Sequence, residues 1–586
     1  MVLMALFLRT RDSFHQTTLI LAAAATVAAM AGCSAVPGAA PVSSGSVPAS
    51  PSTSATASAG GSPSPAPVPP SASPSPDPGL RPLGWGPEQR DQDAAAAAVA
   101  AMSVEQKAGQ VLMPWYSGTN VEAHAATIER LHLAGSIIMG DNVPLDANGQ
   151  VNPAAMTAIN TRLAHASRAD GRPWPGLIGV DQEGGIVARL GTPLTEWPTP
   201  MSYGAAGNAA LAKEAAHGMA AELAPLGFNV DFAPDTDVTI GPADPTIGAR
   251  SMSGNPDTAG ALGISFFQGM LAAGVLPAVK HFPGHGSVAV DSHQDLPVQP
   301  ASLDELKARD WKPFQAAIAA GAPMVMTGHI AVAALEPGVP ASLSRPTYAA
   351  LRGLGFNGVA ITDALNMGAV QKHYPGGSAA PAALAAGADL LLMPADVGLA
   401  HAAIVQAVAA GSLPAERLTE AAQRVATMLT WRGRLAAQAG TQAGVPAGAA
   451  PGSGSELSGR VSAAAVTVVS GPCSGPLVPG SVQLAGGSPQ DRARFEAAAA
   501  KAGLATGSGP LVTLIGYNGR PAGGDIAVAL DAPWPLGASS SPTKIALYGR
   551  TQGAFDALAN VLSGKAAAPG KLPAAVGTFP AGTGCP

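Results

Sequence analysis

The ionisable side chains of this sequence do not fall at random. Asp181, Asp235, the pair Lys280 and His281, His329 and Asp363 each stand at the end of a short apolar run or just after one. One run ending in Asp means little. Five such ends together resist assignment to core packing, because buried charges need partners. Carboxylates and imidazoles gathered in this way are the groups of nucleophilic and acid/base catalysis. Asp291 and His293 add a second arrangement. Their i, i+2 spacing puts both side chains on one side of an extended loop, where the carboxylate orients the imidazole and stabilises its protonated form. In isolation Asp363 would read as a helix N-cap and the Asp-His pair as surface hydrogen bonding; the company they keep argues for chemistry. His281 and His285 in Lys280-His281-Phe282-Pro283-Gly284-His285-Gly286 suggest metal ligands at first sight. They lie beside Pro and Gly, not on a helix, and no further ligand cluster is evident, so no metal site is expected.

The elements that must position these groups are visible as apolar runs at 110–114, 136–140, 177–181, 229–234, 276–281, 324–329, 358–363 and 388–394, alternating with Ala-rich helical stretches. Continuous apolar runs separated by helices indicate buried parallel strands. Eight of them predict an α/β fold, a (β/α)8 TIM-type barrel, whose chemistry sits at the C-terminal ends of the strands. A doubly wound sheet is the alternative; it usually carries a glycine-rich phosphate turn, and no GxGxxG follows an early run. No cofactor is expected. The stretches 181–205, 234–257, 282–302 and 363–378 are long, Gly- and Pro-containing loops suited to a substrate pocket.

Three motifs carry a resemblance. They are Val180-Asp181-Gln182-Glu183-Gly184-Gly185 with Arg189, the Lys280–Gly286 run continuing to Asp291-Ser292-His293, and Ile361-Thr362-Asp363-Ala364-Leu365-Asn366-Met367-Gly368-Ala369. In this order and spacing they resemble glycoside hydrolase family 3, in particular its bacterial β-N-acetylglucosaminidase branch. The resemblance implies an exo-acting, retaining enzyme. Such an enzyme needs a carboxylate near the anomeric carbon and a proton donor near the leaving oxygen. By resemblance Asp363 is the nucleophile, and His293, held by Asp291, is the acid/base. Asp363 is followed by Ala364, so no adjacent carboxylate pair exists to assist an acetamide nucleophile, which favours direct covalent catalysis. Asp181, Arg189, Lys280, His281 and Arg250 of Gly248-Ala249-Arg250-Ser251 are the implied sugar-binding groups; a structural ion pair is the alternative for Arg189 and Arg250. Met252, Ile186 and Leu190 depart from the residues common at those places in the family.

Arg9 and Arg11 precede an apolar segment, Thr18 to Ala31, too short to span a bilayer comfortably. Met30-Ala31-Gly32-Cys33 resembles a bacterial lipobox, which makes 1–33 a lipoprotein signal peptide and Cys33 the lipid-bearing residue; an ordinary secretory signal is the alternative. Residues 34–88, rich in Ser, Pro, Ala and Gly, read as a disordered tether. The catalytic barrel is assigned to 89–436, a linker to 437–458, and a reduced α/β sandwich-like domain to 459–586. In that last part, runs at 464–469, 511–515, 526–530 and 544–548 precede a helix over 552–563. Cys473 and Cys585 bracket it; export would permit a disulfide between them, and two unpaired Cys are the alternative. With 12% charged residues and a net charge of -6, nothing indicates a nucleic-acid partner. The expected protein is a monomeric, lipid-anchored β-N-acetylhexosaminidase on the outer face of the cytoplasmic membrane, releasing terminal β-N-acetylglucosamine from cell-wall muropeptides. Its rivals are a β-glucosidase, a β-N-acetylglucosaminide phosphorylase and a non-catalytic sugar-binding lipoprotein.

Overall fold

The computed structural model describes residues 78–438, 449–521 and 523–586. The signal segment, Cys33 and most of the tether lie outside them. Within them, the folded body starts before 89. Pro78–Leu80 form a 3-10 turn and Trp85 is buried, with Gly86 packed under the ring of Trp431. A buried indole removes a large apolar area from water, which a Pro/Ser tether could not do.

Eight strands follow the predicted runs: β1 Leu112–Met113, β2 Gly135–Ile137, β3 Leu177–Val180, β4 Val230–Asp231, β5 in two pieces, Leu276–Pro277 and Val279–Phe282, β6 Met324–Thr327, β7 Val359–Thr362 and β8 Leu391–Leu392. Their neighbours are parallel, as in the pairings Gly135↔Leu177, Gly179↔Val230, Met324↔Val359 and Leu112↔Leu391. Continuous pairing comes in three pieces: β2–β3–β4 with the first part of β5, the second part of β5 with β6 and β7, and β1 with β8. Backbone hydrogen bonds outside the continuous ladders bridge the gaps. Ala278 N donates to Ala233 O, Thr362 N to Leu390 O and Ile137 N to Pro114 O, each at 3.0 Å. Each run therefore bonds to its successor and the eighth to the first, the neighbour order of a (β/α)8 barrel.

The strands are buried throughout, because helices cover them outside and side chains fill them inside. Short polar residues start the covering helices. The side chains of Asn152, Asn208, Asn255, Ser344 and Asp396 accept the first free amides of helices Pro153–Ala166, Ala209–Leu223, Pro256–Ala272, Arg345–Gly353 and Val397–Ala409. Among the described residues no helix is long and apolar enough to cross a membrane.

The expected linker is shorter than 437–458. Helix Ala415–Gln438 enters it, helix Ser455–Ala465 starts inside it, and 439–448 lie outside the described residues. The second domain is a five-stranded sheet: β9 Thr467–Ser470, β10 Ser481–Gly486, β11 Ala505–Ile515, β12 Ile526–Ala529 and β13 Thr543–Ala546, in the spatial order β9–β13–β12–β11–β10, with only the β9–β13 pair antiparallel. β10 and helix Pro489–Ala502 were not read from the sequence. β10 is an edge strand with one buried residue, Val482, and a terminal glycine, so its apolar run is weak. Cys473 and Cys585 form a disulfide with a Cα–Cα distance of 5.4 Å. The domain packs on the loops that follow β3 and β4: Thr199 N donates to Tyr548 O at 2.9 Å and Gly254 N to Pro573 O at 3.0 Å.

Asp389, just before β8, shows how the ring is fastened. Its carboxylate accepts the Ala360 amide at 3.0 Å and pairs with Arg352, Arg417 and Arg424 at 2.5, 2.7 and 3.1 Å. Burial works to raise its pKa, but the three guanidiniums outweigh burial and hold it below its ordinary value. Asp389→Ala leaves three cations facing one another, and we expect a loss of about 3–5 kcal/mol of stability, read by urea unfolding at neutral pH. A depressed folded-state pKa means the contribution is present above the unfolded pKa and lost as pH falls. The difference between wild type and variant should therefore shrink on acidification below about pH 4.

Candidate active site

The ends of β3, β5 and β7, with the loops after β4 and β5, bring the singled-out residues together around one buried carboxylate that the sequence reading left without a role. Glu183 lies three residues past the end of β3 and is almost fully buried. Its oxygens accept Nε and Nη2 of Arg250 at 2.9 and 2.8 Å, and Lys280 Nζ stands 2.6 Å from Oε1. Burial would raise its pKa, but Arg250 and Lys280 outweigh burial and hold it well below the carboxylate range. Lys280, with a side chain only 2% exposed, stays protonated for the converse reason: Glu183 and Asp181 oppose the burial that would lower its pKa.

Asp181 sits above this pair. Lys280 Nζ is 3.3 Å from one oxygen and Arg189 Nη2 3.2 Å from the other. Gln182 sets this up: its side-chain oxygen accepts the amides of Arg189 and Leu190 at 2.9 and 3.0 Å, folding the chain back so that Arg189 faces Asp181. Asp181 and Arg189 remain partly accessible, unlike Glu183 and Lys280. Of the expected sugar-binding groups, these two are open to a ligand. Arg250 is spent largely on Glu183.

His281 is enclosed. Its Nδ1 is 2.8 Å from Asp237 Oδ2 and its Nε2 is 3.4 Å from Arg250 Nη2. Burial and then Arg250 push its pKa down to about 4. A neutral ring that donates from Nδ1 to Asp237 and accepts at Nε2 satisfies both contacts. Burial likewise pushes Asp237 up to about 7 and Asp235 well above its usual value. Oxygen and nitrogen atoms of Asp235, Asp237 and His281 lie within 4.8 Å of one another, which are the donor types for a cation. However, the Arg250 guanidinium stands 3.5 Å from Asp235 Oδ2 and already supplies the positive charge. The donor set does not suit a metal ion.

Asp363 follows β7 directly and is partly accessible, as an attacking group must be. The Ala364 amide donates to its Oδ1 at 2.7 Å, and His329 Nε2 is bonded to the Ala364 carbonyl at 2.9 Å, which fixes that turn. Burial tends to raise the Asp363 pKa. The imidazoles of His329 and His281, the Ala364 amide and His293 outweigh it, and the carboxyl is held well below its ordinary range. Asp291 Oδ1 accepts both the amide and Nδ1 of His293, at 2.9 and 2.7 Å. The His293 side chain is 62% exposed. The loop carrying it meets the segment after Asp363 through Gly368 N to His293 O and Ala369 N to Ser292 O, both at 3.3 Å. Of the departures from the family pattern, Met252 and Leu190 are buried and Ile186 is exposed.

The match to the family model "Glycosyl hydrolase family 3 N terminal domain" covers residues 103–428. The chain is 34% identical over 330 residues to "Beta-hexosaminidase A" of Pseudoalteromonas piscicida, covering 52% of this chain and 54% of that protein. It is 40% identical over 242 residues to a "Beta-hexosaminidase" of Stenotrophomonas maltophilia, covering 40% of this chain and 71% of that one. A solved structure of a glycoside hydrolase family 3 beta-N-acetylglucosaminidase from Paenibacillus sp. str. FPU-7 superposes with a TM-score of 0.71 at 29% identity, over 81% of this chain and 99% of that one.

Glu183 is the position at which the network is most exposed to damage. Glu183→Ala leaves Lys280 and Arg250 without their shared counter-charge. We expect about 3–5 kcal/mol lost in chemical unfolding, whereas Arg189→Ala, at the accessible edge of the network, should cost under about 1 kcal/mol.

Proposed function

The chain belongs to glycoside hydrolase family 3, and from that premise we propose that it is an exo-acting, retaining β-N-acetylhexosaminidase. Asp363 acts as nucleophile and the Asp291–His293 pair as acid/base. The observation that carries this reading is the docking of the His293 loop, by two backbone hydrogen bonds, onto the segment that follows Asp363. The loop that carries a carboxylate-held imidazole is thereby set against the segment that follows an ionised carboxylate.

In the first step Asp363 Oδ2 attacks the anomeric carbon while the bond to the leaving oxygen breaks. His293 gives that oxygen a proton from Nε2, its Nδ1 being held by Asp291. In the second step the same Nε2 takes a proton from water, the water oxygen attacks the anomeric carbon, and the Asp363 carboxylate leaves. Asp181, between Lys280 and Arg189, is the group that holds hydroxyls of the terminal sugar away from the scissile bond. That makes the enzyme exo-acting. The names of the similar proteins support an N-acetylglucosaminide as substrate; cell-wall fragments are the source proposed for it. The lipobox-like Met30–Cys33 supports attachment to the outer face of the cytoplasmic membrane through acyl chains.

A chromogenic β-N-acetylglucosaminide should be turned over faster than the matching β-glucoside. Asp363→Ala should lower kcat by at least about a thousandfold while thermal unfolding stays near that of wild type. Glucoside turnover without acetamido-sugar turnover would reject the substrate; full activity in Asp363→Ala would reject the mechanism. Faster release in phosphate than in its absence would assign a phosphorylase instead. For the anchor, Cys33→Ser should move the protein from the membrane fraction to the soluble one.

A further inference from the structure

Ser292 separates the two residues of the acid/base pair, and its environment is the opposite of theirs. Asp291 and His293 have side chains 31% and 62% exposed, whereas Ser292 is 1% exposed. Its hydroxyl is bonded to His285 Nε2 at 2.9 Å. His285 is itself buried against His281, with ring centroids 5.9 Å apart. Its backbone amide donates to Asp237 Oδ1 at 2.6 Å, and the other oxygen of Asp237 holds His281. Among the described residues the His285 ring has Ser292 as its one hydrogen-bond partner, and its Nδ1 has none. Burial pushes the ring down to about 3, so it stays neutral and the bond to Ser292 persists through neutral and mildly acid conditions.

A second contact reaches the same loop from the opposite side. Gly368 lies so close under it that a Cβ there would sit 2.8 Å from His293 O and 2.9 Å from Gln294 O. An exposed loop is thus seated at one buried side chain and against one residue that has no room for a side chain.

We propose that Ser292 is a positioning residue: its bond to buried His285 holds the loop so that exposed His293 stands at the proton-transfer distance from the glycosidic oxygen. This rests on the reading of His293 as the acid. The side-chain bond of His293 is to Asp291 on the same loop and moves with it; the other ties of the loop are the two 3.3 Å backbone bonds from Gly368 and Ala369. A proton donor displaced by about 1 Å loses much of its effect, while the Ser292 hydroxyl bonds to His285 and not to Asp363, Asp181, Glu183, Lys280 or Arg250.

The test uses two β-N-acetylglucosaminides that differ in their need for an acid. A 2,4-dinitrophenyl leaving group departs unaided; a methyl or sugar leaving group needs the proton. kcat/KM reports the first step in both cases. Ser292→Ala should lower kcat/KM on the unactivated substrate by at least about tenfold and on the dinitrophenyl substrate by less than about threefold. The activated substrate also shows that the variant is folded. If Ser292→Ala gives no folded protein, Gly368→Ala, which pushes the loop from the other side, should give the same split. An equal fall on both substrates, or none on either, with His293→Ala still discriminating between them, overturns the positioning role and leaves His293 as the acid. If His293→Ala does not discriminate, the acid assignment fails and the role of Ser292 falls with it.

Discussion

The site depends on one electrostatic constraint: a fully desolvated Glu183 must be neutralised, and so must the Lys280 and Arg250 that neutralise it. None of the three is stable there alone, since an unpaired buried charge costs several kcal/mol. Together they tie the end of β3, the end of β5 and the loop after β4 to one point. The placement of Asp181 follows, because it shares Lys280 with Glu183. The placement of His281 follows as well, because it is clamped between Arg250 and Asp237. The elevated pKa values of Asp235 and Asp237 are part of the same balance. With four carboxylates and two permanent cations in so small a volume, holding protons on the deepest acids avoids a surplus of buried negative charge.

That network divides the site into two regimes. The floor is buried and ion-paired, with Glu183, Lys280 and Arg250 bonded to one another. Asp181 and Arg189 project from it just far enough to meet a ligand. The Asp291–His293 pair, proposed as the acid/base, is solvent-facing and held mainly by backbone contacts and Ser292. Sugar recognition needs fixed geometry, whereas an acid that becomes a base must exchange protons with a leaving group and then with water. Exposure of His293 and burial of Lys280 are consistent with those different tasks.

Much of this was legible in the sequence. The eight strands fall within or beside the predicted runs because strands buried on both faces are written as continuous apolar stretches, as in 177–181 and 358–363. The gathering of Asp181, Lys280, His281 and Asp363 was legible from polar residues at run ends. Glu183 was not, although it stands in the same motif; sequence alone did not show which of two carboxylates two residues apart faces water and which faces Arg250, 67 residues downstream. A buried Glu demanding a partner was the available signal. The part of the body that lies before 89 was missed because the lone aromatic Trp85 was outweighed by the Pro-rich composition before it. Edge strand β10 was missed because only Val482 among its residues is buried and it ends in glycine.

The second domain carries none of the residues proposed for chemistry, yet it bears on the loop that supplies Arg250, Asp235 and Asp237. The Tyr517 hydroxyl is bonded to the Ala249 backbone and lies so close to Gly248 that a Cβ there would come within 1.9 Å of it. Gly248 has a φ of +47°, a conformation other residues rarely adopt, and its missing side chain is what lets the tyrosine in. Pro573 O receives the Gly254 amide and the Ser253 hydroxyl at the far end of the same loop, both at 3.0 Å. Ordering a loop of this length opposes folding by about 1–2 kcal/mol per residue. Contacts from Tyr517 and Pro573 on either side of Arg250 restrict the loop and so help to offset that cost. The charge network that organises the barrel face is therefore supported from outside the barrel, by a domain whose own sequence shows no catalytic constellation.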